Sequence, residues 1–215
     1  MKILVVSATE HELNLSNTNL RNNTTRDNID ILISGIGIAS TVYNVTRKLM
    51  QKNYDTVIQA GIAGSFTNNL NLGETVFVGT DTFGDSGIEE TGMLKNLFAS
   101  GLANENDFPF TNGWLVNRHR ILNNGLLKTV KAITVNKITD DKKQIEGRVN
   151  TFSPQVESME GAAFHYVCLN MNIPFLQVRS VSNAVGERDK TKWKMTEAIS
   201  NLNNNLNEII QVLSQ

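Results

Sequence analysis

Strand-like runs recur along this chain, several of them continuous apolar stretches: Lys2–Val6, Ile29–Ile33, Thr56–Gln59, Glu74–Val78, Ala132–Val135 and Pro174–Val178. A strand that alternates apolar and polar residues can sit with one face solvated, whereas a continuous apolar run asks to be covered on both faces. Between these runs the spacing becomes that of helices. Ile38, Val42, Val45 and Leu49 fall on one face, as do Phe164, Val167, Cys168 and Met171. Ile199, Leu202, Leu206, Ile209 and Leu213 make a third stripe. Strands alternating with helices predict an α/β fold around a mostly parallel sheet. Ligands bind such sheets beyond the carboxyl ends of the strands. The run that breaks into Val178-Arg-Ser-Val-Ser-Asn183 therefore predicts a site wall.

With 215 residues and no linker-like stretch, one domain over residues 1–215 is the simplest division. The formal net charge of -1 gives no basic excess for nucleic acid or an anionic membrane. The single cysteine, Cys168, excludes an internal disulfide and a thiolate metal cluster. The opening Met1-Lys-Ile-Leu-Val-Val-Ser7 reads as a first strand, too short for a signal-peptide core, and no apolar stretch approaches the ~20 residues of a membrane span. A cytoplasmic location follows as the expectation. Residues 14–28 read as a polar loop or short hairpin, and residues 81–128 as long loops with a helix or two.

Several short motifs carry both a chemical and a plain structural reading. Ser34-Gly-Ile-Gly37 follows a strand and opens a helix, but a dinucleotide fingerprint needs a third glycine where Ser40 stands, so a simple turn without cofactor is favoured. Ala60-Gly-Ile-Ala-Gly64 also follows a strand; its glycines let backbone approach a ligand or another element, and a site and a packed turn stay even. Glu10 and Glu12 follow the first strand; alone they read as the acidic first turn of a helix. Glu10 gains weight because that strand's carboxyl end faces the same crevice as the Pro174–Val178 run. His11, His119 and His165 lack metal-ligand spacing, so no metal is expected. Glu157 and Glu160, three apart at what reads as a helix start, project in similar directions with Met159 between them and Ser158 as a possible cap. The cations from Arg188 to Lys194 read as a solvated face or as a lid with Trp193.

Taken together, Ser7-Ala-Thr-Glu-His-Glu12, Ser34-Gly-Ile-Gly37, Ala60-Gly-Ile-Ala-Gly64, Leu72-Gly-Glu-Thr-Val76, Met159-Glu-Gly-Ala-Ala163 and Val178-Arg-Ser-Val-Ser-Asn183 occur in the order found in the purine nucleoside phosphorylase/uridine phosphorylase superfamily, which this chain resembles. Within it the chain is similar to the hydrolytic nucleosidases that cleave methylthioadenosine and adenosylhomocysteine. Gly84-Asp-Ser-Gly-Ile-Glu-Glu90, Val156-Glu-Ser-Met-Glu-Gly-Ala-Ala-Phe164 and Ser182-Asn-Ala-Val-Gly-Glu-Arg-Asp189 resemble the futalosine hydrolases of menaquinone biosynthesis. The resemblance implies a single-domain three-layer α/β/α fold with a central mixed, mostly parallel twisted sheet. It implies a small-molecule nucleoside substrate, hydrolysis of futalosine to hypoxanthine and dehypoxanthine futalosine, and a homo-oligomer, dimer or larger. It makes Glu10 the general base for the attacking water and Arg179 a holder of base and water. It gives Met159 and Glu160 the ribose, and Asn183 the place of a leaving-group acid. Ile62, Gly64 and Ser182 join them as substrate-binding positions. The aromatic residue that stacks on the purine in adenine-cleaving relatives has no counterpart near Val135–Asp141.

The residue types fit that chemistry. Breaking an N-glycosidic bond develops positive charge on the sugar and negative charge on the base, so a carboxylate beside the sugar both stabilises charge and accepts a water proton. A carboxylate is a poor neighbour for phosphate, which favours hydrolysis over phosphorolysis. At position 183 an amide cannot surrender a proton as an acid does, but it can donate a hydrogen bond to O6 or N7 of a 6-oxopurine. Arg188 and Lys192 are the cations available for the benzoate tail of futalosine. Three alternatives stand beside this expectation: an adenine-cleaving nucleosidase, a 6-oxopurine phosphorylase and a non-catalytic purine-binding sensor.

Overall fold

The computed structural model describes residues 1–13, 28–91 and 93–214. Most of the expected polar loop at residues 14–28 lies outside them. Strands β1 (Ile3–Ser7), β2 (Ile29–Ile33) and β3 (Thr56–Ser65) pair in parallel, with β1 between the other two. Parallel to β3 on its other side runs β10 (Phe175–Ala184), which pairs antiparallel with β4 (Thr75–Asp81). Strand β8 (Lys128–Thr134) runs parallel to both β4 and the short β9 (Val156–Ser158), and β9 returns antiparallel to β3. The pairings β3–β10–β4–β8–β9–β3 thus form a closed circuit, and β1 and β2 extend from it as an open wing. The short β7 (Leu115–Val116) lies against β4.

Helices cover both faces of the wing. Helix α1 (Ile38–Gln51) and α3 (Gly161–Asn170) pack on one side, where Val45, Leu49, Phe164 and Val167 meet Leu4, Val6 and Val57. Helix α4 (Met195–Leu213) packs on the other, where Leu202, Leu206 and Ile209 meet Ile3, Val5 and Ile58. Successive strand residues serving opposite layers explain why the runs had to be apolar throughout. The expected three-layer α/β/α arrangement with a mixed sheet is observed. A further helix, α2 (Lys142–Phe152), has Asp141 as its cap, accepting a hydrogen bond from the Gln144 N–H at 3.0 Å. No helix among the described residues is long and apolar enough to cross a membrane.

Three local expectations need correction. The Ala60–Gly64 motif is the second half of β3, so the strand runs on past Gln59 rather than turning there. Val156–Ser158 is a strand, and Glu160 is the N-cap residue just before α3, so Glu157 and Glu160 do not share a helix turn. Ser158 is the last residue of that strand rather than the helix cap, which is Glu160, although its Oγ accepts from the Gly161 N–H at 3.2 Å. The described part of residues 81–128 holds a hairpin of β5 (Gly87–Glu90) and β6 (Met93–Asn96), with β7 and a 3-10 turn at Arg120–Asn123, and no α-helix.

Candidate active site

The adjacency of β1, β3 and β10, all parallel, sets their carboxyl ends side by side. A cavity of about 310 Å³ opens there. The residues after β1 form one wall, Ile62 to Gly64 of β3 and Ser182–Asn183 of β10 another, and Glu157 to Glu160 the floor leading into α3. Val135, Ile138 and Trp193 close the apolar remainder.

Of the residues singled out in the sequence, Met159, Glu160, Ile62, Gly64, Ser182 and Asn183 line this one cavity. Glu10 does not. Its side chain is exposed, and the carboxylate on the cavity wall belongs to Glu12, which is 8% exposed. The cause is local. Thr9 and Glu12 form a reciprocal box: Glu12 Oε2 accepts from the Thr9 N–H at 3.1 Å, and Thr9 Oγ1 accepts from the Glu12 N–H at 3.4 Å. Ser7 Oγ donates to the same Oε2 at 3.1 Å, and the Ile62 N–H donates to Oε1 at 3.2 Å. In a tight turn only one of two acids two residues apart can face inward, and these donors choose Glu12. The Thr9-x-x-Glu12 spacing was legible as a capping box.

Arg179 is 1% exposed and lies beneath the floor rather than on it. Its Nη2 donates to Gln59 Oε1 at 2.9 Å, and its Nη1 is 3.7 Å from Glu160 Oε2. Opposite it in the β3–β10 register is Gly61, where a Cβ would sit 2.3 Å from Arg179 Nη1 and 3.0 Å from Glu12 Oε1. The glycine makes room for the guanidinium and the carboxylate to share that space. Arg179 therefore reaches the cavity through its ion pair with Glu160. Burial pushes the Glu160 carboxyl above its ordinary value, while Arg179 and the Gly37 N–H, which donates to Oε1 at 3.0 Å, pull it back. The Ser34–Gly37 turn thus binds a protein carboxylate.

Asn183 has its amide orientation set by neighbours. Ser182 Oγ donates to Oδ1 at 2.8 Å, and Nδ2 donates to the Ala184 carbonyl at 2.8 Å. One Nδ2 hydrogen is left to serve the cavity. Arg188 is exposed, and neither it nor Lys192, which pairs with Glu187 at 2.9 Å, lines the cavity. Both drop out as cations for a substrate tail in this arrangement.

Two buried groups have partners that the sequence did not indicate. Asp81, fully buried, accepts from the Thr82 N–H at 2.8 Å, Thr134 Oγ1 at 3.0 Å and Gln177 Nε2 at 3.2 Å, and burial raises its carboxyl to about 7. Thr134 Oγ1 in turn accepts from the Ala162 N–H, so this network seats the first turn of α3, next to Glu160. Arg148 and Glu157 form a buried ion pair at 3.1 Å. Burial lifts the Glu157 carboxyl and Arg148 opposes the lift. Among the described residues no cluster of His, Cys, Asp and Glu could hold a metal ion.

Known proteins share this arrangement of strands. A futalosine hydrolase of Helicobacter pylori superposes with a TM-score of 0.79 at 16% identity, covering 98% of this chain and 97% of that one. A methylthioadenosine/adenosylhomocysteine nucleosidase of the same organism, bound to butyl-thio-DADMe-Immucillin-A, gives 0.79 at 16% identity over 98% of both chains. In sequence, a futalosine hydrolase of Thermus thermophilus is 27% identical over 175 residues, 80% of this chain and 76% of that protein. A methylthioadenosine/adenosylhomocysteine nucleosidase of Bacillus subtilis is 25% identical over 212 residues, 90% of each. The sequence pattern of the Phosphorylase superfamily matches residues 7–215, nearly the whole length and every wall of the cavity, and the chain belongs to that superfamily.

Proposed function

We propose that this protein is a purine nucleosidase that hydrolyses the N-glycosidic bond of futalosine, releasing hypoxanthine. The observation that carries the proposal is the Glu12 carboxylate, fixed as a wall of the cavity by Ser7, Thr9 and Ile62. Glu12 takes the role the sequence reading gave to Glu10. In the reaction the oxygen of a water bonds to C1′ of the ribose and passes a proton to Glu12. The C1′–N9 electron pair leaves with the purine, which then gains a proton from solvent. Glu160 accepts hydrogen bonds from ribose hydroxyls, Met159 lies against the sugar, and Arg179 keeps Glu160 in place from below. Holding the sugar in one orientation supplies part of the rate, and the carboxylates offset the developing oxocarbenium charge. The free Nδ2 hydrogen of Asn183 meets the O6/N7 edge, where the leaving group accumulates negative charge.

Resemblance to futalosine hydrolases in sequence and the amide at position 183 favour a 6-oxopurine. The second reading, a nucleosidase for methylthioadenosine or adenosylhomocysteine, is favoured by the 90% mutual coverage with the Bacillus subtilis relative. The two separate in one assay. Futalosine, inosine and methylthioadenosine are incubated with the protein without phosphate, and free base is measured. Hypoxanthine from futalosine is the expected product, and Asn183→Asp should shift the relative rates toward the 6-aminopurine substrate. Release of adenine alone supports the second reading. A rate that rises with phosphate, with a ribose 1-phosphate product, overturns hydrolysis altogether.

A further inference from the structure

The strand register places Asn183 of β10 opposite Gly64 of β3, and Gly64 opposite Glu157 of β9. Three adjacent strands thus present, in one row, an amide, no side chain, and a carboxylate. A Cβ on Gly64 would lie 3.5 Å from Asn183 Nδ2 and 3.6 Å from Glu157 Cγ, so both side chains border the same small gap, and all three residues line the cavity. Glu157 Oε2 accepts from Arg148 Nη1 at 3.1 Å. Its Oε1 has no hydrogen-bond partner among the described residues. Arg148 is itself anchored, with Nη2 donating to the Lys137 carbonyl at 3.0 Å, and Asp85 holds the same segment through the Asn136 and Lys137 N–H groups. A buried carboxylate that lines a cavity, with one oxygen held by an arginine and no bond to the other among the described residues, is a built hydrogen-bond acceptor.

We infer that Glu157, oriented by Arg148, accepts the N1–H of a 6-oxopurine and sets the choice of base together with Asn183. This rests on the purine nucleosidase reading above and names the residue that makes it specific. A 6-oxopurine carries a hydrogen on N1 and acceptors at O6 and N7; a 6-aminopurine carries a lone pair on N1. The row Asn183–Gly64–Glu157 offers donor, gap and acceptor, which matches the first and sets a lone pair against a carboxylate oxygen in the second. Arg148 also fixes what a substitution does. In Glu157→Gln, the guanidinium keeps the amide oxygen, and the amide NH₂ turns to the cavity as a donor. That change inverts the pattern at N1 without altering the shape.

The test uses free bases as product inhibitors of futalosine cleavage. In the wild-type protein hypoxanthine should inhibit about ten- to a hundredfold more strongly than adenine, the range of a hydrogen bond to a charged group. In Glu157→Gln the preference should reverse or vanish. An unchanged hypoxanthine-to-adenine ratio in that variant overturns the inference. Should the variant not fold, the wild-type protein alone decides: 1-methylhypoxanthine must inhibit at least tenfold more weakly than hypoxanthine, and equal inhibition overturns the assignment. These outcomes are separable from failure of the underlying reading, in which the wild-type protein releases no hypoxanthine from futalosine at all.

Discussion

Replacing Glu12 with Gln tests the centre of the proposed chemistry, and the structure gives the effect a size. The carboxylate receives donors on both oxygens: Ser7 Oγ and the Thr9 N–H on Oε2, and the Ile62 N–H on Oε1. An amide can satisfy only one of these sides with its oxygen. Whichever way it turns, its NH₂ faces a backbone N–H, and one buried donor loses its acceptor. That costs about 1–3 kcal/mol, which for a chain of this length lowers the melting temperature by roughly 2–12 °C. The rate should fall further than stability does, because the amide cannot take the water's proton; a general base is worth about 10²–10⁴ in kcat. Glu10→Gln is the matched control. Glu10 is exposed and lines no part of the cavity, so both its melting temperature and its rate should stay at the wild-type values. Single-turnover release of hypoxanthine, with thermal melts of all three proteins, separates the terms. If Glu12→Gln keeps more than about a tenth of the wild-type kcat while Glu10→Gln loses activity, the assignment drawn from the Thr9–Glu12 box is wrong.

Gly61→Ala should be severe for a residue that adds one methyl. The new Cβ would lie 2.3 Å from Arg179 Nη1, so the guanidinium must leave Gln59 and Glu160; a loss of about 1–3 kcal/mol is expected in urea melts, with KM raised because Glu160 loses its support. Wild-type stability and KM in that variant would remove Arg179 from the positioning role. The Asp81 carboxyl is raised to about 7 from the ordinary 3.8, so the native state holds its proton more tightly than the unfolded chain does. Its stabilising contribution is then complete below pH 4 and is lost as pH rises through about 7. Asp81→Asn cannot titrate, and Gln177, whose buried Oε1 lacks a partner, can turn to accept the new NH₂. Urea melts from pH 4 to 8 should therefore fall less steeply in the variant; parallel curves would show that burial does not raise this carboxyl.

How far the sequence reaches can be followed through particular residues. The apolar runs located the strands because each must be covered on two faces, and the helical stripes of α1, α3 and α4 follow the same logic. Strand ends were harder. Ala60–Gly64 carries glycines and reads as following a strand, yet it continues one, while Arg179–Asn183 is the polar end of its strand as the sequence suggested. Their hydrogen-bond partners come from each other across the sheet, a long-range fact that local composition does not contain. The short strand Val156–Ser158 is hidden for the same reason, since what extends it is the pairing with Gly64–Ser65 and Ala132–Thr134. Helix α2 has a weak apolar stripe because Arg148 spends one of its buried positions on Glu157.

The same distinction accounts for the site. Ser182 and Asn183 were legible because they sit where an apolar run breaks, and a polar residue in such a place needs a partner or a ligand, whereas Met159 and Glu160 were reached through the family resemblance. Glu12 was passed over for Glu10 because two acids in one turn look alike until their donors are known, although Thr9 held the local clue. The pairing of Glu157 with Arg148 could be found only in three dimensions. Their pairing spans a helix and a strand, and the relation of Glu157 to Asn183 exists only because Gly64 stands between them in the sheet. A residue whose role depends on the strand two places away leaves no mark in the spacing of its own segment. In this fold the closed circuit of strands brings the carboxylate of β9 to the cavity that the amide of β10 also lines. The row Asn183–Gly64–Glu157 depends on that closure: without the pairing of β9 with β3, Asn183 and Gly64 would stand side by side with no carboxylate beyond them.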